Sequence, residues 1–146
     1  MVDPELEALY RDVVLDHFRS PRGRAPLPRP DARGLAVNPT CGDQVEVELA
    51  LDGDRIAAVS ARAVGCSIAV AAASVLTELV PGAGPEAVAA LASDLEAIVH
   101  GRAPARPVDA RLRAFAPVAS LPSRQRCALL AWEAIDAALE RARRAG

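Results

Sequence analysis

Apolar positions recur along this chain at two different periods, and the change of period divides it into helical and extended stretches. Leu6, Leu9, Tyr10, Val13, Val14 and His17 recur at helical spacing and predict an amphipathic first helix. Asp3-Pro4 opens it with a capping carboxylate and a proline at the first helical position, and Ser20-Pro21 ends it. Glu5 and Glu7 place negative charge in its first turn, where the helix dipole favours it. Residues 20–31, with Pro21, Pro26, Pro28, Pro30 and Gly23, read as an irregular surface connection.

Period two takes over next. Gly34 to Val37 reads as a short strand. From Gln44 to Leu51 the alternation is clean, with Val45, Val47, Leu49 and Leu51 on one face and Gln44, Glu46 and Glu48 on the other. Asp52-Gly53 reads as a two-residue hairpin turn into a second strand from about Arg55 to Ala63. The pattern predicts a small antiparallel sheet with one wet face.

Helical spacing then returns. Cys66 stands at the start of a helix running to about Val80, whose segment from Ser67 to Leu76 is apolar or small on nearly every side. That pattern marks a buried central helix. Pro85 to Val99 forms the next helix, with Val88, Leu91, Leu95 and Ile98 inward and Gly101 ending it. Residues 102–122 are broken by prolines, with one short helix around Leu112 and Phe115. The last helix begins near Pro122 and runs to about Arg143, with Cys127, Leu130, Ala131, Ala134, Ile135, Ala138 and Leu139 on its inner face. The class is α+β, read as one domain over residues 1–146 with no internal repeat.

Composition narrows the function classes. Apolar residues make up 51% of the 146, enough for a real core, and aromatics only 3%, so Ala, Val, Leu and Ile must fill it. A net charge of −2 offers no electrostatic footprint for nucleic acid. No apolar run is long enough for a membrane span, and the charged first residues lack a signal core, so the expectation is a cytoplasmic protein, monomeric on its own. Three cysteines in that compartment read as reduced thiols, ligands or nucleophiles rather than a disulfide framework.

By spacing alone the cysteines form no Cys-x-x-Cys pair, and inert buried packing competes with metal binding. Their surroundings favour the second. Cys41 lies in the polar turn Asn38-Pro39-Thr40-Cys41-Gly42-Asp43, two residues from a carboxylate. Cys66 follows a glycine at a strand-to-helix junction, and Cys127 sits near a helix start behind Arg124 and Arg126, where the helix dipole favours a thiolate. If all three converge with Asp43 the site is Cys3Asp, a set that suits tetrahedral Zn²⁺, with Arg124 or Arg126 offsetting the excess negative charge. His17 reads as packed or surface rather than as a ligand, His100 as a helix-end charge, and Trp132 as packing.

The stretch Leu9-Tyr10-Arg11-Asp12-Val13-Val14-Leu15-Asp16-His17-Phe18, then Ser20-Pro21-Arg22-Gly23, the Cys41 turn, Gly65-Cys66-Ser67-Ile68 and Arg126-Cys127-Ala128-Leu129 resemble the SufU branch of the IscU/NifU-like family, in order and over nearly the whole chain. The resemblance implies a three-stranded antiparallel sheet packed against about five helices, as in IscU- and SufE-like folds. It implies that Cys41, Asp43, Cys66 and Cys127 are the metal ligands. Members of the IscU scaffold branch carry His immediately before the third cysteine, where this chain has Arg126. They also have a shorter stretch between the second and third cysteines, and a Pro-Pro-Val-Lys chaperone segment where Pro122-Ser123-Arg124-Gln125 stands here.

What the resemblance implies is a zinc-dependent sulfurtransferase that accepts persulfide sulfur from a SufS-type, pyridoxal phosphate-dependent cysteine desulfurase. The recipients downstream would be an iron–sulfur scaffold or apo-proteins. Cys41 is the expected acceptor, freed from zinc on docking while a histidine of the partner takes its place. Tyr10 and the first helix are expected to contribute to docking. Two alternatives stand beside this: a [2Fe–2S] scaffold using the same four ligands, and a zinc module that activates a partner without carrying sulfur.

Overall fold

The computed structural model describes residues 4–145, so Asp3, the expected cap of the first helix, lies outside the described residues. Helix α1 is α-helical over Pro4–Leu9, π-helical over Tyr10–Leu15 and α-helical again over Asp16–Arg19. The backbone stays right-handed at both junctions, with φ −63° and ψ −41° at Leu9 and φ −69° and ψ −37° at Leu15. The continuous α-helix of the sequence reading therefore contains a wider turn, whose hydrogen bonds span five residues instead of four. Val14 and His17 are buried, while Leu9, Tyr10 and Val13 are half-buried against the core.

Three strands follow: β1 (Ala32–Asn38), β2 (Asp43–Asp52) and β3 (Arg55–Val64), antiparallel in the order β1-β2-β3. Strand β1 is longer than the apolar pattern indicates, because Ala32, Gly34, Ala36 and Asn38 face inward and small residues carry little hydropathic signal. Val45, Val47 and Leu49 are fully buried as the alternation requires. Leu51 is only half-buried, because the β2–β3 register slips between Ala50 and Leu51. The hairpin also shifts by one residue. Asp52 pairs with Arg55, so the turn is Gly53-Asp54, and only Gly53 takes positive φ, at +64°. Glycine at the first central position is the requirement of a type II′ turn.

Helix α2 (Ser67–Leu79) is buried from Ile68 to Thr77 apart from Val70, which explains its lack of a polar face. Helices α3 (Pro85–Val99), α4 (Ala110–Arg113) and α5 (Gln125–Ala145) complete the fold, with two 3₁₀ turns, Ala116–Ser120 and Pro122–Arg124, leading into α5. Helix α5 lies across β1 and β2, and α2 packs on β3 and against α5. The inner face expected for α5 is buried throughout, from Cys127 to Leu139. Its alanines at 131, 134 and 138 meet the small residues of β1, which lets helix and strand approach closely.

The outer face of the sheet is wet at one end only. Arg33, Glu48 and Ser60 stand in one row across the three strands, and the residue 20–31 connection folds over that row. Leu27 N–H donates to Glu48, and Ala61 N–H on β3 donates to the Gly23 carbonyl at 2.8 Å. Glu48, expected in solvent, is 3% exposed and ion-paired to Arg33 at 2.9 Å and Arg62 at 3.3 Å. Burial by itself would raise its pKa, but the Leu27 N–H and the two guanidiniums outweigh it and hold the carboxyl below the ordinary range.

A depressed folded pKa stabilises the fold above the unfolded value of about 4.3, and that contribution disappears as pH falls through the folded value. Stability is therefore expected to fall on acidification below about pH 4, with a shallower slope for Glu48→Gln in urea titrations across that window. Glu48→Ala should cost about 2 kcal/mol at neutral pH, the loss expected for hydrogen bonds to a charged group.

Candidate metal centre

The end of the sheet opposite the β2–β3 turn gathers three element ends. Asn38 closes β1 and pairs with Asp43, leaving residues 39–42 as the connecting loop. Asn38 anchors the base of that loop. Its carbonyl accepts the Gly42 N–H at 2.8 Å and its side-chain oxygen accepts the Thr40 N–H at 3.2 Å. Gly42 takes φ +78°, and a β-carbon there would meet nothing within 4 Å, so glycine serves the backbone turn and not a close contact. Cys41, on this loop, is exposed.

Asp43 is the first residue of β2 and shares the inward parity of Val45, Val47 and Leu49, so its carboxylate is directed toward the core. It is 5% exposed, and its Oδ2 has no hydrogen-bond partner among the described residues. Gly65 makes room for it, since a β-carbon at that position would stand 2.4 Å from the Asp43 carboxyl carbon. Cys66 directly follows as the N-cap of α2, in extended conformation, and is half-buried. Cys127 is in the first turn of α5 and fully buried.

The ligand atoms of Cys41, Asp43 and Cys127 lie within 4.8 Å of one another, and the Cys41 and Cys127 sulfurs are 3.9 Å apart. Cys66 stands outside that mutual trio but against two of its members, Asp43 and Cys127. Burial would raise the Asp43 pKa, yet the thiols of Cys66, Cys127 and Cys41 and the Cys66 backbone outweigh it and keep the carboxyl below its usual range. Burial, then Asp43 and Cys66, push the Cys127 thiol well above the ordinary value. In the bare protein this environment works against the helix dipole at Cys127. A cation among these donors reverses the balance, because a coordinated thiol loses its proton.

The donor set fits a soft divalent cation. Three thiol sulfurs and a buried, half-satisfied carboxylate converge there, and four such donors suit a tetrahedral ion. Of the two arginines expected to balance the charge, Arg124 is the one beside the thiols, with Cys66 and then Cys127 raising its pKa. Arg126 turns away toward the Val37 carbonyl at 3.4 Å and Glu133 at 3.5 Å.

Tyr10 joins the rim. Its phenol pKa is raised by burial and by Cys66 and lowered by Arg124, so the first residue of the π-helical turn stands beside the second cysteine. The apolar stripe of the first helix includes Tyr10, and the π turn that aims it at Cys66 has no hydropathic signature. His17 is packed instead, with Nδ1 2.6 Å from Ser74 Oγ and Nε2 3.3 Å from Glu78, and burial lowers its pKa. His100 is exposed at the end of α3, hydrogen-bonded to the Glu96 carbonyl, and Trp132 is core. Around the site Val37, Val64 and Leu121 are exposed at 42%, 64% and 43%, and Val37 and Val64 flank Gln44 in one row of the sheet.

The model of the NifU-like N-terminal domain matches residues 9–145. The chain belongs to that family. It is 32% identical over 133 residues to a zinc-dependent sulfurtransferase SufU of Bacillus subtilis, covering 90% of this chain and 89% of the relative. It is 35% identical over 138 residues to an iron–sulfur cluster assembly scaffold protein IscU of Streptococcus pyogenes, covering 94% and 86%. The crystal structure of a NifU-like N-terminal protein from Brucella abortus superimposes with a TM-score of 0.83 at 20% identity, over 94% of this chain and 99% of that one, and shows the shared fold.

The four donors should contribute unequally to metal retention. Cys66→Ala and Cys127→Ala, on rigid helix starts, are expected to lose most of the bound metal and lower the melting temperature, because metal-binding energy is folding energy. Asp43→Ala should lose less. Gly65→Ala, which keeps all four donor residues but crowds the Asp43 carboxylate, should resemble Asp43→Ala. Elemental analysis and melting curves with and without chelator check this, and equal melting temperatures in the two would contradict it.

Proposed function

We propose that this chain works in iron–sulfur cluster assembly as a zinc-dependent sulfur acceptor, taking persulfide sulfur from a pyridoxal phosphate-dependent cysteine desulfurase of SufS type. The observation that carries the reading is the asymmetry of the donors: an exposed thiol on a glycine-flanked loop beside buried donors on rigid elements. A purely structural site has no use for one donor that can leave. The similarity to the Bacillus subtilis sulfurtransferase over 90% of the chain supports the same reading.

Cys41, Asp43, Cys66 and Cys127 would hold the ion. Zinc bound there would keep the thiols deprotonated at neutral pH. The chain's own residues do the rest. Loop 39–42 carries Cys41 outward without disturbing β1 or β2, because its anchoring hydrogen bonds are to Asn38 at its base. The Cys41 thiolate attacks the outer sulfur of the partner's persulfide. That S–S bond breaks, the partner's thiolate leaves with the bonding pair, and the sulfur remains on Cys41. Arg124 offsets negative charge at the rim, and the exposed Val37, Val64 and Leu121 offer an apolar border for docking.

A second reading, a [2Fe–2S] scaffold on the same donors, rests on the comparable similarity to the Streptococcus pyogenes scaffold protein. Arg126 weighs against it. The scaffold branch has a histidine there, and a guanidinium has no lone pair to offer a metal. Colourless protein with zinc supports the first reading, and brown protein with iron and sulfide supports the second.

Cys41→Ser is expected to remain folded and to bind the desulfurase, yet fail to stimulate L-cysteine turnover under reducing conditions. Mass analysis of the wild-type chain, trapped by alkylation during turnover with desulfurase and L-cysteine, should find the newly added sulfur first on the Cys41 peptide. Full stimulation by Cys41→Ser would overturn the assignment.

A further inference from the structure

We infer that Cys127 is a resolving thiol: it attacks a persulfide on Cys41, forms a Cys41–Cys127 disulfide and expels the carried sulfur as hydrogen sulfide without an added reductant. The inference rests on the sulfur-acceptor reading and says how the sulfur leaves.

The geometry points to this pair. The two sulfurs are 3.9 Å apart, so closure to a disulfide of about 2.05 Å needs a movement of less than the length of one residue. The accessible partner is Cys41, exposed on the loop where a β-carbon at Gly42 would meet nothing within 4 Å. Cys127 is fixed, being in the first turn of α5 and fully buried. Exchange at a sulfur proceeds with the attacking and leaving sulfurs on opposite sides. Cys41 has buried Cys127 on one flank and solvent on the other, so the outer sulfur of a Cys41 persulfide has its exit on the solvent side. Cys66 falls outside the mutual cluster of Cys41, Asp43 and Cys127 and is the less favoured resolver.

The step balances without an outside reagent. Cys127 Sγ bonds to Cys41 Sγ, and the bond between Cys41 Sγ and the outer sulfur breaks. The leaving sulfur takes the bonding pair and the thiol proton and departs as hydrogen sulfide. The carried sulfur is reduced, and the two cysteines supply the electrons as they become a disulfide. A cellular dithiol or low-molecular-weight thiol then restores the pair. Closure also withdraws two donors from the metal centre, so delivery of sulfur and weakening of metal binding are coupled.

The test uses the full chain with its bound metal, loaded anaerobically in two ways: with desulfurase plus L-cysteine, and with inorganic polysulfide. Both samples are desalted into buffer without reductant, sulfide is measured, and the chain is alkylated and mapped unreduced. Cleavage at Arg33, Arg55, Arg62, Arg102, Arg126 and Arg141 puts the three cysteines on separate peptides. The expected result is sulfide stoichiometric with loaded chain and a Cys41–Cys127 cross-link absent from the unloaded control. Cys127→Ser should keep the extra sulfur on Cys41 and release none. If that variant fails to fold, the wild-type map decides alone.

Four results overturn the inference: a persistent Cys41 persulfide with free Cys127, a cross-link to Cys66, sulfur relocated to Cys127, or an equal cross-link in the unloaded control. Failure to load Cys41 in both arms overturns it too. A cross-link with polysulfide but no loading by the desulfurase leaves the resolving thiol standing and removes the desulfurase as donor.

Discussion

A carboxylate on the core-facing side of a strand needs donors or a cation, and Asp43 is placed there by the same alternation that buries Val45, Val47 and Leu49. The packing at this end of the sheet is arranged around that demand. Gly65 gives up its side chain to admit the carboxylate, and Cys66 caps α2 against it. Cys127 reaches it from the first turn of α5, yet Oδ2 remains without a hydrogen bond among the described residues. A residual demand of this kind is what a cation would answer, and Cys41, Asp43 and Cys127 stand within mutual reach to answer it together.

Much of the architecture was legible because local signals agreed with one another. Pro85 and Gly101 bracket α3, and the bounds read from them, Pro85–Val99, are those observed. The three-stranded antiparallel sheet and the five helices follow in the same way from periodicity and family resemblance. The misses have a common origin in contacts between distant segments. Period two assigned Glu48 to the outer face correctly but could not show that the residue 20–31 connection would cover it. The hairpin turn slipped by one residue because Asp52-Gly53 and Gly53-Asp54 are both good turn pairs, and the β2–β3 register chose between them.

The candidate site shows the same division. The words around the cysteines pointed to four candidate donors, and the structure brings Cys41, Asp43 and Cys127 into mutual reach with Cys66 alongside. What sequence could not assign was side-chain direction. Arg124 and Arg126 are two residues apart, but the 3₁₀ turn ends between them and α5 begins, so one faces the thiols and the other faces Val37 and Glu133. Its place on the helix favours a thiolate at Cys127, and burial beside Asp43 and Cys66 pulls the other way.

The π-helical turn of α1 carries a consequence for how this end of the molecule tolerates change in chain length. A π turn holds one residue more than an α turn, so it stores a single-residue insertion without breaking the helix. Deleting one residue within Tyr10–Leu15 would restore a regular α-helix, but would rotate the two halves of α1 relative to each other by about 100°, one residue's share of an α turn. With Val14 and His17 held in the core, the rotation would fall on the N-terminal half and swing Tyr10 away from Cys66. The extra residue thus works as a phase shifter between a half of the helix that anchors and a half that addresses the metal centre. Length variation in this segment among relatives would therefore act on the rim of the site while leaving the core intact.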